Sequence, residues 1–163
     1  MSNLAISQKL QAGIESQSAG NQYLTFMLAG EEYGIDILRV REIKGLENAT
    51  QIPNTPPHVL GVINLRGNVI PVVDLRLRFG MERVEYNQLT VVIVVRAQCA
   101  DRERTIGLVV DTVSDVYNIQ SEGVHPSPDF GSAVDTSFVQ GIASVDDKMV
   151  ILLDIDKLVR EEI

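Results

Sequence analysis

The sequence predicts a mainly β protein made of two small five-stranded barrels side by side, with short helices and a C-terminal helix. Three observations support this fold class. Short β-branched runs alternate with turns along most of the chain, as in small barrels. One hairpin pattern occurs twice, and little of the chain has helical spacing.

The clearest hairpin spans residues 61–75, GVINLRGNVIPVVDL. Two short apolar runs flank a turn at residues 66–68, which contains a glycine that accepts positive φ. Pro71 has no N–H, so we expect its strand at a sheet edge or at a bulge. Asp74 is placed to cap a short helix that Gly80 closes.

The same pattern returns at residues 141–155, GIASVDDKMVILLDI, without a gap in register. Strand–turn–strand patterns also resemble one another without duplication, but both echoes in this chain keep the same order, which favours a repeat. The aligned pairs are Gly61 with Gly141, Arg66 with Asp146, Gly67 with Asp147, Asp74 with Asp154 and, upstream, Gly34 with Gly107 and Glu42 with Asp115.

We predict one folded unit at residues 22–159, in which the first barrel repeat covers about 22–81 and the second about 88–154. Residues 1–21 are expected to be a flexible tail, and residues 155–163 a C-terminal helix. The sequence leaves open whether the two barrels exchange strands.

Two local stretches carry further expectations. Residues 89–95, LTVVIVV, predict a strand that is buried on both faces. Residues 29–32, AGEE, predict the turn between the first two strands.

Composition excludes several classes of function. The 163 residues carry a net charge of −8, and aromatic residues make up only 5%, which argues against nucleic acid as a partner. No apolar run has the roughly 20 residues that cross a bilayer, so direct membrane insertion is not expected. The single cysteine, Cys99, has no internal disulfide partner, and we expect a cytoplasmic protein.

Catalytic motifs are not evident. His58 and His125 each lie in a proline-containing loop, away from other ligands at metal spacing. Asp111, Asp115 and Asp154 suit turns and helix caps, and a metal site at these carboxylates is the alternative. The sequence therefore predicts no enzyme, no cofactor and no metal.

Other positions indicate binding. Arg66, at the turn of an apolar hairpin, is either a solvated residue or a bidentate partner for a carboxylate of another protein. Gly61, Gly107 and Gly141 lie within predicted strands, where glycine often marks a bulge or the close approach of another backbone. Val40 and Val110 are either core residues or the apolar floor of a groove.

The chain resembles the CheW family of chemotaxis coupling proteins from about Gln22 to Val159. The motifs that carry this resemblance are YGIDI at 33–37, REI at 41–43, IP at 52–53, GVINLRG at 61–67, IPVVDL at 70–75, GLVVD at 107–111, DV at 115–116 and ILLD at 151–154.

The resemblance implies SH3-like barrels packed around a shared core. It also implies a non-enzymatic adaptor that couples the cytoplasmic tips of chemoreceptors (methyl-accepting proteins) to the histidine kinase CheA in bacterial chemotaxis. The receptor's helical hairpin is then expected in a groove between the barrels. The implied receptor-binding residues are Val40, Glu42, Gly61, Arg66, Gly107 and Val110.

Kinase contacts are expected at the barrel ends, against the CheA regulatory domain, which has the same fold in this family. The implied positions are Gly141, Asp146 and Asp147. Such an interface is heterologous and either closes or grows, so weak self-association or ring formation is expected as well. The protein would be recruited to the inner face of the membrane through receptor arrays. The alternatives are an adaptor of another CheA-like pathway and a metal- or nucleic-acid-binding barrel.

Overall fold

The computed structural model describes residues 21–99, 102–126 and 137–160. The tail predicted at 1–21 lies outside this part of the chain except for its last residue. The strands are β1 (Gln22–Leu28), β2 (Glu31–Asp36), β3 (Val40–Gly45), β4 (Val59–Leu65), β5 (Asn68–Asp74), β6 (Val91–Cys99), β7 (Arg102–Val110), β8 (Thr112–Asn118), β9 (Val124–His125), β10 (Val139–Val145) and β11 (Lys148–Leu153). The helices are α1 (Leu75–Arg78) and α2 (Ile155–Arg160), and 3-10 turns occupy Ile37–Arg39 and Ser121–Gly123.

The strands form two curled sheets. The five-stranded sheet has the order β3-β6-β7-β5-β4, and the six-stranded sheet has the order β8-β1-β2-β11-β10-β9. Neighbours are antiparallel except for β5 with β7 and β11 with β2. The mainly β fold of two small barrels is confirmed, and the second sheet adds the two-residue strand β9 to the five that were predicted.

Each sheet contains strands from both sequence repeats. The five-stranded sheet takes β3, β4 and β5 from the first repeat and the hairpin β6–β7 from the second. The six-stranded sheet takes the hairpin β1–β2 from the first repeat and its other strands from the second. The two repeats have therefore exchanged their leading hairpins, and the sheets do not follow the predicted boundaries 22–81 and 88–154. A tight turn cannot join two parallel strands, so the parallel neighbour of β5 has to come from elsewhere in the chain. Here that neighbour is β7 of the distant hairpin β6–β7.

The exchanged arrangement preserves the alignment of the two repeats. Val72 of β5 pairs with Gly107, and Leu152 of β11 pairs with Gly34. The register of β4 shifts at Gly61, and the register of β10 shifts at its counterpart Gly141. This correspondence supports duplication over chance similarity of hairpins.

A shared hydrophobic core joins the two sheets. Its fully buried members include Phe26 and Ile35 of the six-stranded sheet and Ile93 and Leu108 of the five-stranded sheet. Two smaller clusters fill the inner faces of the individual sheets. Complete burial of an aliphatic or aromatic side chain stabilises the fold by about 1.5–3 kcal/mol, so the shared core opposes separation of the barrels.

Strand β6 is buried on both faces over residues 91–95, as predicted, but the prediction was wrong for Leu89, which lies in a turn before the strand and is 56% exposed. Val92 and Val94 belong to the inner cluster of the five-stranded sheet, whereas Val91, Ile93 and Val95 belong to the shared core. Alternating side chains point to opposite faces of a strand, so a continuous apolar run serves both clusters.

The expectation for Pro71 was wrong. Strand β5 lies between β4 and β7, and the register shift of the β4–β5 pair falls at Gly61 rather than at the proline. The parallel ladder to β7 begins at Val72, so the residue that lacks an N–H lies just outside that ladder.

The predicted helix caps are confirmed. The Asp74 carboxylate accepts hydrogen bonds from the backbone N–H of Arg76 at 2.9 Å and of Leu77 at 3.4 Å. Gly80 follows the helix with a φ of +78°. At α2, the Asp154 carboxylate accepts the Lys157 N–H at 3.1 Å. Side-chain acceptors at these positions satisfy the free N–H groups of the first turn.

Candidate protein-interaction site

An ion pair links two opposite edges of the five-stranded sheet. The Arg66 guanidinium Nη1 lies 2.6 Å from Oε2 of Glu42. Glu42 lies on edge strand β3, and Arg66 lies in the turn after the other edge strand, β4. The pair is formed because the sheet curls until its edges meet.

Local chain chemistry positions Arg66. Its φ of 52° places it in the left-handed region, and Gly67 follows with a φ of +86°. The Asn64 side chain accepts the Gly67 N–H at 2.9 Å and so fixes the turn. The Arg66 side chain is 75% exposed, and the Glu42 side chain is 22% exposed. Arg66 is therefore accessible to a partner, but its guanidinium already binds a carboxylate of its own chain.

The other implied receptor-side residues lie inside the molecule. Val40 is 3% exposed and Val110 is 1% exposed, and both belong to the shared core. Gly107 is buried, and a Cβ there would lie 2.8 Å from Cγ1 of Val92. Of the two interpretations of Val40 and Val110, the structure places them in the core. Their assignment to receptor binding stays a prediction. Because they are buried, they could influence a receptor only indirectly, by the way they pack beneath the surface.

Gly61 marks the close approach of another backbone. Its φ is +142°, and a Cβ there would lie only 2.1 Å from the carbonyl oxygen of Thr50. The N–H of Thr50 donates to the Val62 carbonyl at 2.8 Å, and the N–H of Val62 donates to the Thr50 carbonyl at 2.9 Å. Glycine is required here on steric grounds.

The implied kinase-side residues repeat this geometry in the six-stranded sheet. A Cβ at Gly141 would lie 2.8 Å from the carbonyl oxygen of His125 in β9. Asp146 and Asp147 form the exposed turn between β10 and β11, with φ values of 50° and 63°. Aspartate tolerates this left-handed region better than most residues. Both carboxylates are presented to solvent.

The carboxylates considered for a metal site have other partners. Asp111 accepts two hydrogen bonds from the Arg76 guanidinium, at 2.7 and 2.6 Å. One Asp115 oxygen accepts the Val116 N–H at 2.8 Å, and Asp154 caps α2. Among residues 21–99, 102–126 and 137–160, no group of three or more metal-ligating side chains is assembled.

Glu32 is the residue that the sequence analysis missed. The predicted turn at 29–32 is shorter than expected, because β2 begins at Glu31. Glu32 is consequently a strand residue, and it is only 7% exposed. Burial in β2 is continuous over residues 32–35, so no alternating pattern in the sequence marked this carboxylate as an interior residue.

The described helices include none that is both long and apolar enough to span a membrane. The arrangement is one of exposed charged turns at the ends of two barrels that share a core. These turns are the charged parts of the barrel ends that are open to a partner.

Residues 22–162 match the CheW-like domain. The chain is 43% identical to the chemotaxis protein CheW of Klebsiella aerogenes over 99% of its own length and 93% of the relative. It is 36% identical to CheW of Rhizobium meliloti, covering 89% of this chain and 91% of the relative. The crystal structure of the scaffolding protein TtCheW from Thermoanaerobacter tengcongensis superposes with a TM-score of 0.75 at 38% identity, over 85% of this chain and 86% of that chain.

The chain therefore belongs to the CheW family of chemotaxis scaffold proteins. The family is non-catalytic, which confirms the prediction that the protein is not an enzyme.

Proposed function

We propose that this protein is an adaptor that couples the cytoplasmic tips of chemoreceptors to the histidine kinase CheA. The observation that carries the proposal is the family match over residues 22–162, which covers both sheets and the core between them. Two barrels that share one core suit a protein that holds two partners at a fixed spacing.

On the receptor side, the proposal assigns the main contact to the surface around Glu42 and Arg66. This surface combines an exposed guanidinium with a half-buried carboxylate. A receptor carboxylate that approaches Arg66 competes with Glu42 for the same N–H groups. Gly61, Val40, Gly107 and Val110 then act by shaping the backbone and the core behind this surface.

On the kinase side, the proposal assigns the turn of Asp146 and Asp147, together with the neighbouring strand position Gly141. The turn is exposed and carries two negative charges. A barrel end that binds a similar barrel of the CheA regulatory domain forms a heterologous contact, which closes into a ring or extends. Many weak contacts of this kind give an array its avidity. The adaptor would then work in the cytoplasm, at the inner face of the membrane.

Co-sedimentation tests the coupling role. The protein is mixed with a receptor cytoplasmic fragment, with CheA, and with both. We expect it to pellet with each partner and to raise the amount of CheA that pellets with the receptor. Arg66→Ala is expected to weaken the receptor pair and leave the kinase pair unchanged. Absence of binding to both partners would overturn the proposal.

A further inference from the structure

A cleft of about 760 Å³ opens at one end of the six-stranded sheet. Its lining comes from four adjacent strands, β8, β1, β2 and β11, and from Leu89 before β6. We call it the acidic cleft and define it by Met27, Glu32, Asp115, Tyr117, Lys148 and Met149.

Glu32 is the unusual group in the acidic cleft. Only 7% of its surface is exposed, and its Oε2 has no hydrogen-bond partner among the described residues. A buried charged oxygen without a partner destabilises a fold. Tyr117 lines the same cleft, and burial first and the neighbouring Glu32 carboxylate second raise the pKa of its phenol.

The five-stranded sheet shows what occupies the corresponding place in the first barrel. There Arg66 reaches across to Glu42 at 2.6 Å. The aligned residues of the six-stranded sheet are Asp146 and Asp115, so the arginine is replaced by a second carboxylate. In the first barrel, the Arg66 guanidinium joins the two edge strands. In the second barrel, the position aligned with Arg66 carries the Asp146 carboxylate instead.

The rim of the acidic cleft is apolar. Met149 is 59% exposed and Leu89 is 56% exposed. The cleft lining itself contains the carboxylates of Glu31, Glu32 and Asp115 against the single ammonium of Lys148. Negative charge below an apolar rim is complementary to a basic side chain flanked by apolar residues.

We propose that the acidic cleft receives a lysine or arginine side chain of the CheA regulatory domain, with Glu32 as its buried counter-ion. Met149 and Leu89 pack against the apolar residues beside that side chain. The inference rests on the proposed function for the identity of the partner, and it supplies the chemistry of the kinase contact near Asp146.

The first experiment is independent of the partners. The acetylated tripeptide amides Leu-Arg-Leu and Leu-Glu-Leu are titrated into the full chain and followed by NMR. We expect the arginine peptide to shift the signals of Tyr117 and Met149, and the glutamate peptide to leave them in place. Glu32→Gln keeps the shape of the side chain and should abolish the response. Equal responses of the wild type and this variant would overturn the inference.

Thermal unfolding separates a binding role of Glu32 from a structural one. If the carboxylate serves a partner, Glu32→Gln should raise the melting temperature of the free protein while weakening CheA regulatory-domain binding by about 30-fold or more. A lowered melting temperature together with unchanged affinity would assign Glu32 to the fold alone and refute the proposal.

A gain of arginine completes the test. Asp146→Arg restores the residue found in the first barrel, and its guanidinium should fill the cleft and block the kinase domain. Glu82→Arg is the matched control, because it reverses the same charge at an exposed position outside both proposed binding surfaces. Equal kinase binding by the two variants would contradict the inference. Failure of the wild type to bind CheA or receptor would instead overturn the adaptor function and with it the assigned partner.

Discussion

The Arg76 guanidinium donates hydrogen bonds to both carboxylate oxygens of Asp111, from Nε to Oδ1 at 2.7 Å and from Nη2 to Oδ2 at 2.6 Å. The Ala29 N–H donates to Oδ2 at 3.0 Å. Arg76 lies in α1 after the five-stranded sheet, and Ala29 lies in the β1–β2 turn of the six-stranded sheet. Asp111 therefore ties the two sheets together through one carboxylate.

Removal of this fork should destabilise the protein. We expect Arg76→Ala to lower the free energy of unfolding by about 1–3 kcal/mol, because both hydrogen bonds are charge-assisted and partly buried. Urea unfolding measures the change. Arg76→Lys is the control: it keeps the charge but not the planar fork, and its loss should be intermediate. Wild-type stability of Arg76→Ala would show that the pair contributes nothing.

The same carboxylate makes stability depend on acid pH. Partial burial tends to raise the pKa of Asp111, but the hydrogen bonds from Arg76 and from the Ala29 N–H outweigh it and hold that pKa below the ordinary value of 3.8. A depressed folded-state pKa stabilises the fold above the unfolded-state value, and this contribution is lost as pH falls through the folded-state value. The stability difference between wild type and Asp111→Asn should be constant near neutral pH and shrink below about pH 4. A difference that grows on acidification would contradict this assignment.

Arg66 should matter for binding and little for stability. Its side chain is 75% exposed, so loss of the Glu42 ion pair is expected to cost less than about 1 kcal/mol. Calorimetry with a receptor cytoplasmic fragment should show weaker binding of Arg66→Ala. Arg83→Ala, another exposed arginine, serves as the control and should bind normally. Equal affinity of both variants would remove Arg66 from the receptor surface.

Two glycine-to-alanine variants distinguish a steric requirement for glycine from the general effect of replacing a glycine. Gly61→Ala should destabilise the fold by about 2–4 kcal/mol, because its Cβ meets the Thr50 carbonyl and its φ is positive. Gly45→Ala is the matched control in β3, since its Cβ would enter open space. Thermal unfolding should show a large drop for the first variant and little change for the second. Similar melting temperatures would refute the close approach at Thr50.

The segment that joins the two repeats is anchored by Tyr86. Its hydroxyl donates to Oδ2 of the buried Asp74 at 2.5 Å. Burial, and then this bond to a carboxylate, raise the pKa of Tyr86. Tyr86→Phe should cost about 1–2 kcal/mol and speed proteolysis near residues 82–88, which limited trypsin digestion would detect. An unchanged cleavage rate would mean that the segment is held elsewhere.

Local features of the fold were predictable from the sequence because they depend on neighbouring residues. The hairpin turn at Arg66, the cap at Asp74 and the doubly buried part of β6 at residues 91–95 all follow from patterns within ten or so positions. The hairpin exchange was not predictable, since β5 accepts β7 through parallel pairing between residues far apart in the chain. The burial of Glu32 was missed for a similar reason, because the strand that pairs beside it, β11, comes from the other end of the chain.

The candidate binding positions also fall into those that local sequence predicts and those that depend on long-range packing. Arg66, Asp146 and Asp147 are exposed because they lie in turns, and turns are visible in the sequence. Val40 and Val110 had two interpretations, and only the packing of the two sheets against each other distinguished them.

The exchanged hairpins also constrain how the protein is made. As the chain leaves the ribosome, β3, β4 and β5 emerge long before β6 and β7, so the first sheet waits incomplete until about residue 110 has emerged. The early hairpin β1–β2 lacks its neighbour β11 for still longer, because β11 is the last strand to be synthesised. The duplicated sequence unit is thus not the folding unit, and neither half expressed alone contains a complete sheet. Long-range pairing of this kind slows folding and leaves strand edges open during synthesis.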